Sequence, residues 1–292
     1  MHTNKNAFGY DIDSPHRCLF EPEIGRVIQQ AIRHLLEYLT GSVSKAERVF
    51  AQFLDLARIA ANEGQLEVEG YRLLCQEEHF EDLLRSKLDE RANRIIGQIS
   101  LWVTGRTLLD VGCGDGLIGA SFSSRPMDIT LYDVCNYLDP RVTCRFVLGS
   151  EGAVLPLLEQ FDTVLLLTVL HHASDPKFLF ESVSRLVRHR LIVIESVFGV
   201  TEPSGTPVIQ DVATSGFIEM DHGAQLKFAC FFDWFYNRVL HREVPVPYNY
   251  NKPEEWRRFF EAYGFRLRET SYLGVDQRLV PEYHVLYVLD IG

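Results

Sequence analysis

Leu108-Leu109-Asp110-Val111-Gly112-Cys113-Gly114-Asp115-Gly116 is an apolar run that passes directly into three glycines at alternate positions. Glycine lets a backbone turn sharply and lie against a ligand with no Cβ in the way, so the run reads as a buried strand ending in a ligand-cradling turn. Further short apolar runs follow at Ile129–Tyr132, Arg145–Leu148, Thr163–Leu167 and Leu191–Ile194, separated by helical or polar stretches. That alternation predicts an α/β fold with a parallel sheet buried on both faces. Before the last of these runs, Asp175 can cap a helix, Pro176 fits its first turn, and Phe178, Leu179, Val183, Leu186 and Val187 form its buried side. A helix from Pro253 to Tyr263, stopped by Gly264, and two strands, Phe265–Tyr272 and Tyr283–Leu289, close the pattern.

Upstream of the sheet, residues 1–100 read as helical. Ile24, Val27, Ile28, Ile32, Leu35, Leu36 and Leu39 recur at three-to-four spacing up to Thr40-Gly41. A second helix is predicted from about Ser44 to Gly64 and a third from about Glu78 to Ile99. Residues 197–251 break the sheet rhythm and hold ten aromatics in 55 positions, a density above the 12% of the whole chain. The chain has 292 residues with 29 Lys+Arg against 40 Asp+Glu, a net charge of −11. A composition of 46% hydrophobic and 24% charged residues is that of a globular protein and excludes disordered and fibrous classes. With no basic run longer than Arg188-His189-Arg190, a nucleic-acid partner is not expected, and a small molecule is. The six cysteines form no C-x-x-C pair and no zinc-spaced cluster, so they read as reduced thiols and no metal is expected. No signal-peptide run or membrane-length apolar run is present, which predicts a cytoplasmic protein with no membrane partner.

Two cofactor classes use a glycine turn after the first strand of a doubly wound sheet, and register separates them. Gly114-Asp115-Gly116-Leu117-Ile118-Gly119 matches the dinucleotide pattern G-x-G-x-x-G but begins two residues beyond where the strand ends at Val111; counted from Gly112, the third glycine falls on Leu117. Asp110, Gly112, Gly114 and Gly116 instead resemble, residue for residue, the first motif of the class I S-adenosylmethionine-dependent methyltransferases, small-molecule type. The resemblance continues in order along about 180 residues. It implies a seven-stranded, mainly parallel sheet with an antiparallel last strand, a core at residues 101–292 with 197–251 as a substrate-lid insertion, and S-adenosyl-L-methionine as cofactor. Asp133, ending the second strand, takes the place of the family's ribose-binding acid. A carboxylate suits a vicinal diol because it only accepts hydrogen bonds. After the third strand, Gly149-Ser150-Glu151-Gly152 departs from the family's Gly-Asp pattern, which leaves the adenine contact open between Ser150 and Glu151. Cys113, Thr168 and Leu170 complete the expected cofactor lining.

The fourth strand runs into His171-His172, which resemble the family's fourth motif. Methyl transfer is an in-line displacement whose only demand on a specific side chain is removal of a proton from a hydroxyl nucleophile. Histidine suits that step because its ordinary pKa of about 6.5 leaves it largely neutral at physiological pH. His171 and His172 are therefore the catalytic candidates, with one of the pair facing the reaction and the other packing. The insertion offers His222, Phe231, Trp234, Phe235, Tyr236 and Tyr248 as an apolar lid over the substrate, with Asp221, Asp233 and His241 as further polar possibilities; the opposing reading is an amphipathic helix over Phe228–Val239 whose aromatics are core. Arg190 and Glu195 read as surface and loop-anchoring residues. By analogy with helical additions in the family, Tyr10, Tyr71 and Phe80 are candidates to reach the site, and the N-terminal helices are candidates for a homodimer contact. The expected activity is methylation of an oxygen or nitrogen on a small, partly apolar metabolite in specialised metabolism; the rivals are a non-methylating transferase with the same cofactor and an inactive cofactor-binding scaffold.

Overall fold

The computed structural model describes residues 4–12, 14–77, 79–201, 212–240 and 244–292. A two-stranded hairpin, β1 (Asn4–Lys5) with β2 (Asp11–Ile12), precedes four helices: α1 (Ile24–Thr40), α2 (Val43–Ile59), α3 (Glu63–Leu74) and α4 (Phe80–Ile99). Gly41 ends α1 in the left-handed region at φ 64°, and Ser42 caps α2 by accepting from Lys45 N–H. The single helix expected over Ser44–Gly64 is two. Ala60 leaves helical geometry at ψ 129°, and the Asn62 side chain accepts from Gln65 N–H to start α3.

The seven-stranded sheet comprises β3 (Thr107–Val111), β4 (Asp128–Asp133), β5 (Arg145–Leu148), β6 (Phe161–Leu167), β7 (Val187–Ser196), β8 (Phe265–Gly274) and β9 (His284–Ile291), in the spatial order β5-β4-β3-β6-β7-β9-β8. The first five strands run parallel, and β9 inserts antiparallel to both β7 and β8. All seven residues of β6 are buried, as a strand covered on both faces requires. Val187 opens β7 opposite Phe161; it is not the end of α6 (Pro176–Ser184). Asp175 caps α6 through Lys177 and Phe178 N–H, as its position predicts. Because the chain leaves β5 at one edge and returns on the other side of β3, a crevice opens above the carboxyl ends of β3 and β6.

The remaining helices are α5 (Leu117–Ala120), α7 (Val212–Glu219), α8 (His222–Trp234), which widens into a π-helix over Phe235–Leu240, and α9 (Pro253–Ala262). One continuous apolar core joins the N-terminal helices, the insertion and the sheet, including Ile28, Phe53, Leu109, Val164 and Phe231. Phe53 meets Phe235 edge-on at 5.2 Å between ring centroids, and Glu67 of α3 accepts from Trp234 Nε1–H at 2.9 Å and from Arg238 at 3.0 Å. Among the described residues, no helix is long and apolar enough to cross a membrane.

Candidate active site

A cavity of about 930 Å³ opens above the carboxyl ends of β3 and β6. At one end lies the glycine turn, locked to the sheet where Gly112 and Cys113 N–H both donate to Tyr132 O. Gly112 sits at φ +67°, and a Cβ there would stand 2.6 Å from Val169 Cγ2. Gly114, at φ +54°, has open space where a Cβ would stand. Asp133 reaches back from β4 so that Oδ2 accepts from Gly114 N–H at 2.9 Å, while Oδ1 accepts from Val134 and Cys135. Each oxygen keeps acceptor capacity toward the cavity. Asp110, buried in β3, accepts from Gly119 N–H at 3.1 Å, and burial pushes its carboxyl up to about 7. Burial likewise raises the Cys113 thiol and the Asp133 carboxyl. An open glycine cradle beside three carboxylates, Asp110, Asp115 and Asp133, fits a cationic nucleoside cofactor with a ribose diol.

The opposite end is a polar corner gathered from distant segments. Glu195, at the end of β7, is fully buried; its Oε1 accepts from Val169 and Leu170 N–H at 3.0 and 2.7 Å, which fixes the turn after β6. His171 Nδ1 lies 2.6 Å from Oε2, and where Glu195 is ionised, above about pH 7, the ring's Nδ1–H is the donor. His172 Nδ1–H donates to the carbonyl of Pro245 at 3.0 Å. Facing the pair from α8 is the buried Asp233, with Oδ1 3.6 Å from His172 Nε2. Asn237 Nδ2 donates to the same Oδ1 at 2.7 Å, and Asp233 Oδ2 has no partner. Desolvation holds His171 at about 4 and His172 at about 3, so both rings are neutral near pH 7. Burial raises Glu195 to about 7; burial and the nearby charge of Glu282 raise Asp233.

A family model described as a methyltransferase domain matches residues 80–270. The chain belongs to the class I S-adenosylmethionine-dependent methyltransferases. The ubiquinone biosynthesis O-methyltransferase of Pseudomonas syringae pv. tomato is 28% identical over 111 residues, 35% of this chain and 44% of that protein. Its counterpart in Pseudomonas entomophila is 29% identical over 108 residues, 34% and 46% of the two chains. The chain thus spans less than half the length of these curated relatives. Among solved structures, magnesium protoporphyrin IX methyltransferase from Synechocystis PCC 6803 with bound SAH has a TM-score of 0.45 at 12% identity, covering 77% of this chain and 94% of that one.

In this methyltransferase the cavity wall includes Asp110, Gly112, Cys113, Gly114, Asp133, Ser150, Glu151, Thr168, His171, His172 and Tyr236 of the residues singled out in the sequence. Gly116 and Leu170 do not line it: Gly116 caps α5 against Leu131 and Leu138, and Leu170 is buried beneath the turn with its N–H on Glu195. The expected lid is corrected in most of its members. Phe231, Trp234 and Phe235 are at most 1% exposed and pack on one another under the N-terminal helices, His222 is exposed at the start of α8, and Tyr248 packs against the Phe198 and Tyr250 cluster. The helical reading of Phe228–Val239 wins because its apolar residues surround the helix and meet covering elements on more than one side. His241 lies outside the described residues. Asp221 caps α8 through Ala224 N–H, away from the cavity. Glu195 anchors a loop as expected but from the interior, and Arg190 holds Asp290 and the Trp102 carbonyl.

Tyr71 and Phe80 line the cavity; Tyr10 does not, since its hydroxyl donates to Glu255 and its ring packs on Phe198. Sequence reasoning missed Arg91 of α4, whose guanidinium reaches the cavity while donating to Gln277 at 2.5 Å and Thr168 Oγ1 at 3.2 Å. It also missed Asn237 and Glu282, which line the histidine corner. No pattern marks Arg91 or Glu282, but Asp233 is visible as a lone carboxylate in the apolar stretch from Phe228 to Val239.

Proposed function

We propose that the protein methylates an oxygen or nitrogen of a small, partly apolar metabolite inside this single cavity. The observation that carries the reading is that one continuous space joins a glycine cradle to a corner of neutral imidazoles, with apolar wall from Leu84, Leu88, Leu240 and Val280 between. S-adenosylmethionine supplies an electrophilic methyl group on a sulfonium. Gly112 and Gly114 make room for the cofactor, Asp133 accepts from a ribose diol, and Arg91 offers its guanidinium to a carboxylate. Ser150 and Glu151 lie at the rim, where an adenine edge would be met. The apolar wall orients the acceptor and excludes water. His171 and His172 bring neutral rings to the acceptor end, each with Nδ1 engaged by Glu195 or the Pro245 carbonyl, so that Nε2 of one of the pair is the base for the acceptor's proton. The curated relatives, O-methyltransferases of ubiquinone biosynthesis, support oxygen as the receiving atom.

Calorimetry with S-adenosylmethionine is expected to show one site per chain, weakened roughly 30-fold in Asp133→Ala, about 2 kcal/mol for lost hydrogen bonds to a charged acceptor. Incubation with a panel of phenols and aliphatic alcohols, read by mass spectrometry, is expected to give products heavier by one CH2. A wild-type protein that binds no S-adenosylmethionine would overturn the reading.

A further inference from the structure

The histidine corner has a feature that proton transfer alone does not explain. His172 Nε2 carries a lone pair, since its only proton is on the Nδ1 that meets the Pro245 carbonyl, yet it faces Asp233 Oδ1 at 3.6 Å. That Oδ1 already accepts from Asn237, and Oδ2 is buried with no hydrogen bond of its own, the Tyr250 hydroxyl being the donor group near this carboxyl. His171 is oriented in the same way, with Nδ1–H on Glu195. One donor atom from each of His171, His172 and Asp233 lies within 4.8 Å of the other two. Once Asp233 releases the proton that its burial favours, three electron-pair donors converge on one point at the cavity wall. Among the described residues, no Lys or Arg forms an ion pair with Glu195 or Asp233.

From this convergence we infer that His171, His172 and Asp233 bind a divalent cation of the zinc type. Two imidazoles and one carboxylate suit Zn²⁺, Fe²⁺ or Co²⁺, whereas Mg²⁺ and Ca²⁺ prefer all-oxygen shells. Metal-ligating histidines characteristically donate the other ring N–H to a carboxylate or a backbone carbonyl, and ligating carboxylates are themselves hydrogen-bonded. All three parts of that outer arrangement are in place: Glu195 behind His171, the Pro245 carbonyl behind His172, and Asn237 behind Asp233. Three protein ligands leave positions facing the cavity, as in sites where a zinc ion meets substrate. An acceptor oxygen or nitrogen would be drawn to those positions and oriented by them, and with the imidazole lone pairs on the cation it is the cation that would make the acceptor's proton easier to lose. What the cation does there rests on the proposed transfer reaction; whether it binds does not.

The test is a titration of the chelator-treated full-length protein with Co²⁺, read in the visible spectrum, followed by displacement with Zn²⁺. One equivalent of Co²⁺ is expected to develop ligand-field bands that Zn²⁺ abolishes. His172→Ala and Asp233→Asn are each expected to weaken Co²⁺ binding more than about 100-fold, and Asn237→Ala by about 10- to 100-fold. His172 is partly exposed, so its variant is expected to keep the wild-type Tm and S-adenosylmethionine affinity. Absence of bands in the wild type, or bands of undiminished intensity and affinity in both His172→Ala and Asp233→Asn, overturns the metal site. Failure of the wild type to bind S-adenosylmethionine while the cobalt bands develop would sink the transfer reading instead and leave the metal site standing.

Discussion

The two ends of the cavity are built by opposite means. The glycine-turn end is made of backbone and one reaching carboxylate, all from residues 110–133, where β3 and β4 pair with Val111 opposite Tyr132. The histidine corner is made of side chains from the turn after β6, the end of β7, α8 and its π-helical continuation, the Pro245 segment and Glu282. The first tolerates little because its shape is the backbone itself. The second depends on how the insertion packs under the N-terminal helices, so that perturbing α8 from its far side reaches it indirectly.

Substitutions at each end break this comparison differently. Gly112→Val places a β-branched residue at φ +67°, with its Cβ 2.6 Å from Val169, and is expected to cost at least about 3 kcal/mol, abolishing S-adenosylmethionine binding by calorimetry. Retained binding would mean that the turn is not the cradle. Phe231→Ala removes a fully buried ring that stacks on Phe235 and meets Phe232 and Trp234 edge-on, and is expected to lower stability by about 3–5 kcal/mol in denaturant melts. Its cofactor affinity is expected to stay within about twofold, since the ring supports α8 and not the glycine end. A large loss of affinity with unchanged stability would restore Phe231 to the cavity.

The Asp110 carboxyl, raised by burial from 3.8 to about 7, binds a proton more tightly folded than unfolded. Its contribution to stability is therefore complete below about pH 4 and is lost as pH rises through about 7, on the order of 2–4 kcal/mol. In the cofactor-free protein, Asp110→Asn is expected to flatten the fall in Tm between pH 4 and 7; parallel curves for the two proteins would contradict the assignment. The smallest effect belongs to Arg91→Ala, expected to raise the KM for S-adenosylmethionine about tenfold with little change in kcat, as for loss of one hydrogen bond to a charged group. An unchanged KM would separate α4 from the cofactor.

How much of this was legible follows the same division. β3 and β5 coincide with their sequence-read bounds, whereas β6 and β7 begin earlier, at Phe161 and Val187, because polar residues such as Asp162 and Arg188 interrupt the apolar count near their starts, and β7 runs on to Ser196. Asp110, Gly112, Gly114 and Asp133 could be read because each is specified by its place relative to a strand end. The helix over residues 63–74 was missed because its buried positions, Leu66, Gly70, Leu73 and Leu74, are sparse among glutamates. The aromatics of residues 228–236 were legible as a cluster, but a ring that walls a cavity and a ring that fills a core have the same sequence signature. Only Tyr236 lines the space; its neighbours are covered by α2 and α3.

The sequence by itself determined the parallel sheet, the glycine turn and the carboxylate beside it. Those features rest on local rules: alternation of apolar runs, the conformational freedom of glycine, and the position of an acid at a strand end. The tertiary structure decided that Asp233 and Asn237 face His171 and His172, that Glu195 and the Pro245 carbonyl fix both imidazole tautomers, and that Arg91 enters the cavity from a helix outside the sheet. Those pairings join residues 24 to 77 positions apart through packing of the whole core, and no local periodicity encodes such a distance.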